Sequence, residues 1–113
     1  MAHPSTVARI PKLAAGRYLA FEDGDSVQVV QLADGAVTVG RRTGAGVFLD
    51  DATVSRRPAL IVRRGSQTVI LDDRSLNGVI VNGRRVDEAM LADGDVILLG
   101  RVRMTYLERQ GQA

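Results

Sequence analysis

The sequence predicts a single all-β domain, a sandwich or a barrel built from many short strands. Short runs rich in Val, Ile, Leu and Thr alternate with turn signals along residues 16–108, and such spacing is typical of all-β folds. Several of the turn signals are Asn-Gly or Asp-Gly pairs, which favour tight turns most strongly. The length of 113 residues fits one domain, because domains commonly have roughly 100–200 residues.

The first five predicted strands are separated by glycine-bearing turns. Gly24 separates the first from the second, Asp34-Gly35 separates the second from the third, and the segment Gly44 to Gly46 precedes the fourth. In chain order these strands are Arg17–Glu22, Ser26–Leu32, Ala36–Gly40, Val47–Leu49 and Ala59–Arg63.

Five more strands are predicted in the second half: Thr68–Asp72, Ile80–Val81, Arg85–Val86, Val96–Leu99 and Val102–Leu107. In the last of them Val102, Met104 and Tyr106 alternate with polar residues and share one face, as in a strand with its other face in water. The only helical candidate is a short turn around Asp87–Leu91. Residues 1–15 and 109–113 are predicted to be tails that flank a domain over residues 16–108.

The composition excludes several kinds of chemistry. The chain has no cysteine, which excludes a disulfide scaffold and thiolate metal sites. Its one histidine is His3, in the predicted N-terminal tail. The body therefore lacks Ser-His-Asp and Cys-His catalytic machinery and metal ions held by imidazole. We expect no cofactor, no metal and no enzymatic activity.

The charge and the hydropathy of the sequence limit the classes of partner that the protein is expected to bind. No apolar run of about 18 residues is present, so no membrane span is expected, and a cytoplasmic location is predicted. Arginine supplies all the basic residues except Lys12, although the net charge is only +2. Arginine suits bidentate contact with phosphate or carboxylate. The four aromatic rings, 2 Tyr and 2 Phe, are too few for a base-stacking platform for single strands.

Three polar loops are candidates for binding, with plain solvated turns as the alternative for each. Arg41-Arg42 lies in a glycine-bearing loop after a strand, without the Walker A pattern. Ser55-Arg56-Arg57 precedes a strand and offers the hydroxyl, guanidinium and backbone N–H groups that phosphate oxygens require. The segment from Asp73 to Gly78 is similar to the first half of an EF-hand loop. Its twelfth position would be Arg84, where calcium requires a glutamate.

Taken together, several short motifs in one order resemble a known family. They are Gly40-Arg41, Ser55 three residues before the position of Pro58, Ser75-Leu76-Asn77-Gly78, Val81-Asn82-Gly83, and the run from Leu91 through Gly94 to Gly100. In this order and spacing they are similar to the forkhead-associated (FHA) family of phosphothreonine-binding domains, over about residues 16 to 108. The resemblance implies a β-sandwich of about eleven strands with the binding loops at one end.

The resemblance also implies roles for individual residues. Arg41 would meet the phosphate, Ser55 would give it a hydroxyl hydrogen bond, and Arg56 would add a contact. Asn77 would hold the peptide main chain just after the phosphothreonine. Thr53 and Leu76 would line the loops that set the preference for particular side chains of the bound peptide. Four further residues of the motifs would have a structural role only: Gly40, Gly78, Asn82 and Gly83.

Two positions depart from the family pattern. Pro58 stands where the family has a histidine that braces the loop from within, and Val79 stands where the family has a threonine whose hydroxyl ties the loops together. Neither position is a usual phosphate ligand. The departures therefore bear on how rigidly the loops are held, and so on affinity, rather than on the fold.

The sequence therefore predicts a non-catalytic, phosphothreonine-dependent protein-interaction module in Ser/Thr kinase signalling. Its expected partner is a Thr-phosphorylated protein or peptide, such as a Ser/Thr kinase or its substrate, with no metal and no membrane. One alternative is a degenerate FHA domain that binds its partner without phosphate. Another is an Arg-rich nucleic-acid-binding protein, against which the net charge of +2 and the few rings count.

Overall fold

Eleven β-strands and no helix make up the part of the chain that the structure describes. The structure is a computed structural model, and it describes residues 12–23, 25–41, 44–57, 59–72 and 78–110. The strands are β1 (Gly16–Asp23), β2 (Ser26–Gln31), β3 (Ala36–Gly40), β4 (Val47–Phe48), β5 (Ala59–Arg64), β6 (Gln67–Asp72), β7 (Val79–Val81), β8 (Arg84–Val86), β9 (Glu88–Leu91), β10 (Val96–Leu99) and β11 (Val102–Arg109). None of the described residues belongs to a helix that could cross a membrane.

The strands form two sheets. The first sheet has six strands in the order β2-β1-β11-β10-β7-β8, and the second has five in the order β4-β3-β5-β6-β9. Neighbouring strands run antiparallel, except that β4 lies parallel to β3, with Val47 beside Val39 and Phe48 beside Gly40. β4 therefore ends at the same end of the sheet as β3, and this brings the loops that follow the two strands together.

The core lies between the two sheets. Leu19 on β1, Tyr106 on β11 and Ile97 on β10 come from the first sheet, Ile70 on β6 comes from the second, and all four are almost fully buried in one cluster. Because neighbouring residues of a strand face opposite sides of the sheet, residues next to these point away from the core. A second, smaller cluster is formed on the outer side by Tyr18, Ala20 and Leu107, with Leu13 packed against it. The two packed sheets confirm the all-β prediction and make the fold a sandwich.

The predicted helical turn around Asp87–Leu91 is wrong. The chain forms β9 there, and β9 pairs antiparallel with β6 at the edge of the second sheet, with Ala89 beside Ile70 and Leu91 beside Thr68. Leu91 is buried and Met90 is exposed, which is the two-residue alternation of a strand. The other ten predicted strands correspond to β1–β8, β10 and β11.

The loops of interest meet at one end of the sandwich. β3 ends at this end and β5 begins there, while β6 ends and β7 begins there, as the register of the paired strands requires. The turn between β10 and β11 reaches the same end. β1 begins and β11 ends at the opposite end. Most of the predicted tails, residues 1–11 and 111–113, lies outside the described residues.

A network of polar side chains around Tyr106 lies at the end of the core opposite to the loops of interest. The hydroxyl of Tyr106 lies 2.9 Å from Thr68 Oγ1 and 2.8 Å from Glu108 Oε1, so it hydrogen bonds to both. Burial, which disfavours the charged phenolate, raises the pKa of Tyr106 to about 12. A group with a raised folded-state pKa stabilises the fold below its unfolded pKa and loses that contribution as the pH rises through the folded value.

Tyr106→Phe is therefore expected to lower the free energy of unfolding by about 1 kcal/mol, the typical net value of a hydrogen bond. The wild type should also lose stability between its ordinary pKa of 10.0 and about 12, whereas the variant should lack this alkaline loss. Urea unfolding across that pH range measures both effects. Equal alkaline loss in the two proteins would contradict the assignment of the loss to Tyr106.

Candidate functional site

Arg41 follows the last residue of β3 and is hydrogen bonded to the loop of residues 49–57. Its Nε donates a 2.9 Å hydrogen bond to the carbonyl oxygen of Val54, and its backbone N–H donates at 3.4 Å to the carbonyl oxygen of Ser55. The side chain is half-buried. The bond from Nε takes only one of the five guanidinium N–H donors. The stem of Arg41 is thus held in place beside Ser55 while the remaining donors can bind an anion.

Ser55 is oriented by its own loop. Its hydroxyl oxygen accepts a 3.1 Å hydrogen bond from the backbone N–H of Arg57, so the hydroxyl proton remains to be donated to a ligand oxygen. The preceding residue, Val54, is buried in the core and anchors this part of the loop. The Ser55 hydroxyl and the Arg41 guanidinium, whose Nε bonds to the neighbouring Val54, therefore belong to adjoining segments at the loop end of the sandwich.

Thr53 braces this loop against the turn between β10 and β11. Its hydroxyl oxygen accepts a 2.8 Å hydrogen bond from the backbone N–H of Arg101, and the hydroxyl donates to a carboxylate oxygen of Asp51. Asp51 Oδ1 also accepts a 2.8 Å bond from the backbone N–H of Thr53. On the facing turn, Gly100 has φ +57, and a Cβ placed there would overlap the carbonyl oxygen of Thr53. The loop and the turn are therefore in direct backbone contact.

The hydrogen bonds between Thr53 and Asp51 lower the pKa of the Asp51 carboxyl. The hydrogen bonds from the side chain and the backbone of Thr53 hold the pKa of the Asp51 carboxyl below its ordinary value of 3.8, and the charges of Arg101 and Arg41 act in the same direction. A carboxyl with a lowered folded-state pKa stabilises the fold above its unfolded pKa, and this contribution is lost as the pH falls through the folded value. The loop is therefore expected to loosen only in acid.

Thr53→Val should remove the hydroxyl while keeping the shape of the side chain. We expect the pKa of Asp51 to rise toward its ordinary value, because the largest cause of the shift is the Thr53 hydroxyl. Binding of the phosphothreonine peptide that the sequence predicts as the ligand should weaken, because Ser55 is then held less rigidly. Carbonyl-detected NMR titration of Asp51 and calorimetric titration measure the two effects. An unchanged Asp51 pKa would show that the hydroxyl does not make this bond in solution.

A shallow recess lies between these elements. Ser55 and Arg57 line it from the loop of residues 49–57, Gly78 from the position before β7, and Gly100 from the β10–β11 turn. Apolar residues of the core form the rest of the lining: Val39, Val54, Ala59 and Leu99. The recess thus combines an apolar floor with a polar rim that carries the hydroxyl of Ser55.

Comparison with known proteins places the chain in a family. A family model described as FHA domain matches residues 37–100. The chain belongs to the FHA family. The chain is similar to a solved FHA structure from work on phosphothreonine-dependent FHA domain interactions, with a TM-score of 0.78 and 35% sequence identity. The match covers 85% of this chain and 99% of that chain. The FhaA FHA domain complexed with the intracellular domain of Rv3910 has a TM-score of 0.74 and 37% identity, covering 80% of this chain and 99% of that chain.

Two curated proteins are similar in sequence. The oxoglutarate dehydrogenase inhibitor of Corynebacterium jeikeium is 35% identical over 113 residues, which cover 99% of this chain and 77% of that protein. The glycogen accumulation regulator GarA of Mycolicibacterium smegmatis is 43% identical over 70 residues, which cover 62% of this chain and 44% of that protein. The chain spans about half the length of the GarA proteins that it matches.

Several site residues predicted for this FHA domain come together, and others are not described. Arg41 is hydrogen bonded to Val54 and Ser55, Thr53 lies two residues before Ser55 in the same loop, and Arg56 is exposed beside Ser55. The Thr53 hydroxyl is engaged within the protein, so its predicted contact with peptide stays a prediction. Asn77, Leu76 and Pro58 lie outside the described residues. Val79 is fully buried in the core.

Two residues predicted to have a structural role, Asn82 and Gly83, form a tight turn with positive φ angles. At the end of β7 away from the site, Asn82 (φ 50) and Gly83 (φ 83) form the hairpin turn to β8, with the positive φ angles that favour Asn-Gly. The Asn82 side chain accepts a 2.9 Å bond from the N–H of Val96 and donates a 3.0 Å bond to Asp95. Gly40 is buried at the end of β3.

Three more arginines lie near the site: Arg57 belongs to a loop that the sequence marked as a candidate, whereas Arg85 and Arg101 were not predicted there. Arg57 lines the recess, Arg85 lies over Gly78, and the backbone of Arg101 holds Thr53 across a separation of 48 residues. The Arg56-Arg57 pair was a local signal for the first of these. The other two are brought to the site by pairing of strands that are distant in sequence, and no local motif marks them.

Proposed function

We propose that this FHA domain is a non-catalytic module that binds Thr-phosphorylated segments of partner proteins in Ser/Thr kinase signalling. The observation that carries the proposal is the joining of Arg41 to the loop of Ser55. The guanidinium of Arg41 is hydrogen bonded to Val54, the residue next to Ser55, and the Ser55 hydroxyl keeps its proton for a ligand, which supports a shared anion site. A phosphothreonine brings about −1.5 to −2 charges and three acceptor oxygens. Charged donors held on loops of a rigid scaffold are suited to such a ligand.

The recess supports a preference for phosphothreonine over phosphoserine. Its floor is formed by apolar side chains such as Val39, Val54 and Leu99. The γ-methyl group of threonine can be buried there, whereas serine has no such group. Burial of one methyl-sized group is worth about 0.8 kcal/mol, which corresponds to roughly a fourfold difference in affinity.

Relatives support the regulatory part of the proposal. Two similar curated proteins are named as a regulator and an inhibitor. One structural neighbour is a complex of FhaA with the intracellular domain of Rv3910, and another is EmbR with a phosphopeptide. The partner proposed for this chain is accordingly a Thr-phosphorylated kinase, or a substrate of one, in the cytoplasm.

An oriented peptide array tests the proposal. Each peptide is presented with phosphothreonine, with phosphoserine and without phosphate. We expect binding to depend on phosphate and to be strongest with phosphothreonine. Equal binding to all three forms would overturn the proposal and favour the phosphate-independent interaction domain.

A further inference from the structure

A polar cleft lies at the end of the sandwich opposite to the candidate site. It is bounded by the start of β1, the loop after β2, the turn between β5 and β6, and the end of β11. Its volume is about 500 Å³, within the usual range of small-molecule sites. Its lining includes three guanidinium groups, one hydroxyl and one side-chain amide, which belong to Arg17, Arg63, Arg109, Ser66 and Gln31. The cleft therefore carries several groups that donate hydrogen bonds to anionic oxygens.

Arg17 is the most buried of the three arginines. It lies two residues before Leu19 of the core on β1, so the two side chains share the face of the strand that looks toward the other sheet. Only 15% of the Arg17 side chain is exposed, and its Nε is buried without a hydrogen-bond partner among the described residues. Buried charged groups are normally paired and hydrogen bonded. The protein itself therefore satisfies the guanidinium of Arg17 poorly.

The carboxylate beside Arg17 is loosely held. Asp34 Oδ1 lies 4.0 Å from Nη1 of Arg17 and 3.4 Å from Nη1 of Arg63, whereas charge-assisted hydrogen bonds are about 2.7–2.9 Å long. The Asp34 side chain is 89% exposed. Two guanidinium groups thus converge on one oxygen atom of an exposed side chain. That oxygen marks a position from which an oxygen of a bound anion would contact both arginines.

Two further carboxylates near the cleft have partners of their own. Glu108 Oε1 accepts the 2.8 Å hydrogen bond from the Tyr106 hydroxyl, and Asp93 Oδ1 lies 2.9 Å from Nη1 of Arg109. Within the described part of the chain, Asp34 is therefore the main competitor of a ligand in this cleft. Exposed ion pairs are weak, so displacing Asp34 should cost an incoming anion at most about fivefold in affinity.

We propose that Arg17 and Arg63 form a binding site for a small multivalent anion, a phosphate or a dicarboxylate, which displaces the carboxylate of Asp34. Phosphate and carboxylate groups present the same oxygen chemistry to a guanidinium. Because a small ion makes few contacts, we expect a dissociation constant on the order of 1 mM. The cleft is separate from the candidate phosphothreonine site, so this inference does not depend on the proposed function.

An NMR titration of backbone amides of the whole chain tests the site. Sodium phosphate, sodium succinate and sodium chloride are added in separate arms at matched ionic strength. We expect phosphate or succinate to shift the amides of Arg17, Leu32 and Arg63 in a saturable way, and chloride to leave them unchanged. The anion that saturates at the lower concentration identifies the preferred group. If neither anion gives saturable shifts there, or if chloride gives the same shifts, the site is overturned.

Variants show whether the two arginines and Asp34 are the cause. Asp34→Asn should tighten anion binding about two- to fivefold, because it removes the competing charge and keeps the shape of the side chain. Arg63→Gln and Arg17→Gln should each weaken it roughly fivefold or more. The matched control is Arg64→Gln, because Arg64 follows Arg63 on β5, faces the opposite side of the strand and has its own exposed ion pair, with Glu88 at 3.4 Å. It should leave the affinity unchanged.

Thermal melts check that each variant is folded. If Arg17→Gln does not fold, the two exposed positions still decide the question. Unchanged affinity in both Asp34→Asn and Arg63→Gln, or equal losses in Arg63→Gln and Arg64→Gln, would overturn the site.

Discussion

Arg41→Ala is expected to weaken phosphothreonine-peptide binding by about 2–5 kcal/mol, the usual cost of removing one side of a desolvated charge pair. This corresponds to a loss of roughly 30-fold to several-thousand-fold in affinity. The loss has two parts, because the substitution removes the guanidinium and also the hydrogen bond from Nε to Val54. Calorimetric titration with a phosphothreonine peptide measures it, and a thermal melt checks the fold.

Two further variants distinguish the effect of the positive charge at residue 41 from the effect of removing an arginine elsewhere on the surface. Arg41→Lys keeps the positive charge but has no Nε to donate to Val54, so an intermediate affinity is expected. Arg64→Ala is the matched control, because Arg64 lies at the other end of β5 in an exposed ion pair with Glu88 at 3.4 Å. Exposed pairs contribute at most about 1 kcal/mol, and binding should not change. Wild-type affinity in Arg41→Ala would show that Arg41 does not meet the phosphate.

Gly100→Ala is expected to displace the loop that carries Ser55. The new Cβ would overlap the backbone carbonyl of Thr53 and come 2.6 Å from its Oγ1, and backbone cannot move aside as a flexible side chain can. Left-handed strain costs about 1–3 kcal/mol and overpacking costs a similar amount. The free energy of unfolding should therefore fall by about 2–6 kcal/mol, and phosphopeptide affinity should fall at least tenfold, roughly.

Gly94→Ala is the control for strain alone. Gly94 has φ +91, and nothing lies within 4 Å of a Cβ placed there. It lies in the turn before β10, at the end of the sandwich away from the site. This variant should lose stability through strain but keep its affinity. Equal affinity losses in Gly94→Ala and Gly100→Ala would show that the contact of Gly100 with Thr53 does not position the site.

The strands were predictable where the local sequence alone specifies them. Short runs rich in Val, Ile, Leu and Thr between turn signals predicted ten of the eleven strands of the described residues. β9 was missed because its residues, Glu88 to Leu91, include strong helix formers. Pairing with β6 along four residues of register overrides that preference, and such tertiary pairing cannot be read from a short segment.

The site was predictable only in part, for a related reason. Arg41 and Ser55 belong to short motifs whose order resembles the FHA family, so each could be named from the sequence. The bracing of Thr53 by Gly100 and Arg101 depends on the packing of a loop against a turn 48 residues away. The position of Arg85 depends on the pairing of β8 with β7. These contacts exist only once the two sheets are assembled.

We expect phosphate to bind at the loop end of the sandwich, between Arg41 and Ser55. The most direct measurement is an NMR titration of backbone amides with one peptide in its phosphothreonine and unphosphorylated forms. Shifts should appear at Arg41, Ser55 and Arg101 with the phosphorylated form alone, while Gly35 and Gly94 at the opposite end stay unchanged. Shifts centred on the opposite end, or the same shifts with both forms of the peptide, would show that phosphate does not bind between Arg41 and Ser55.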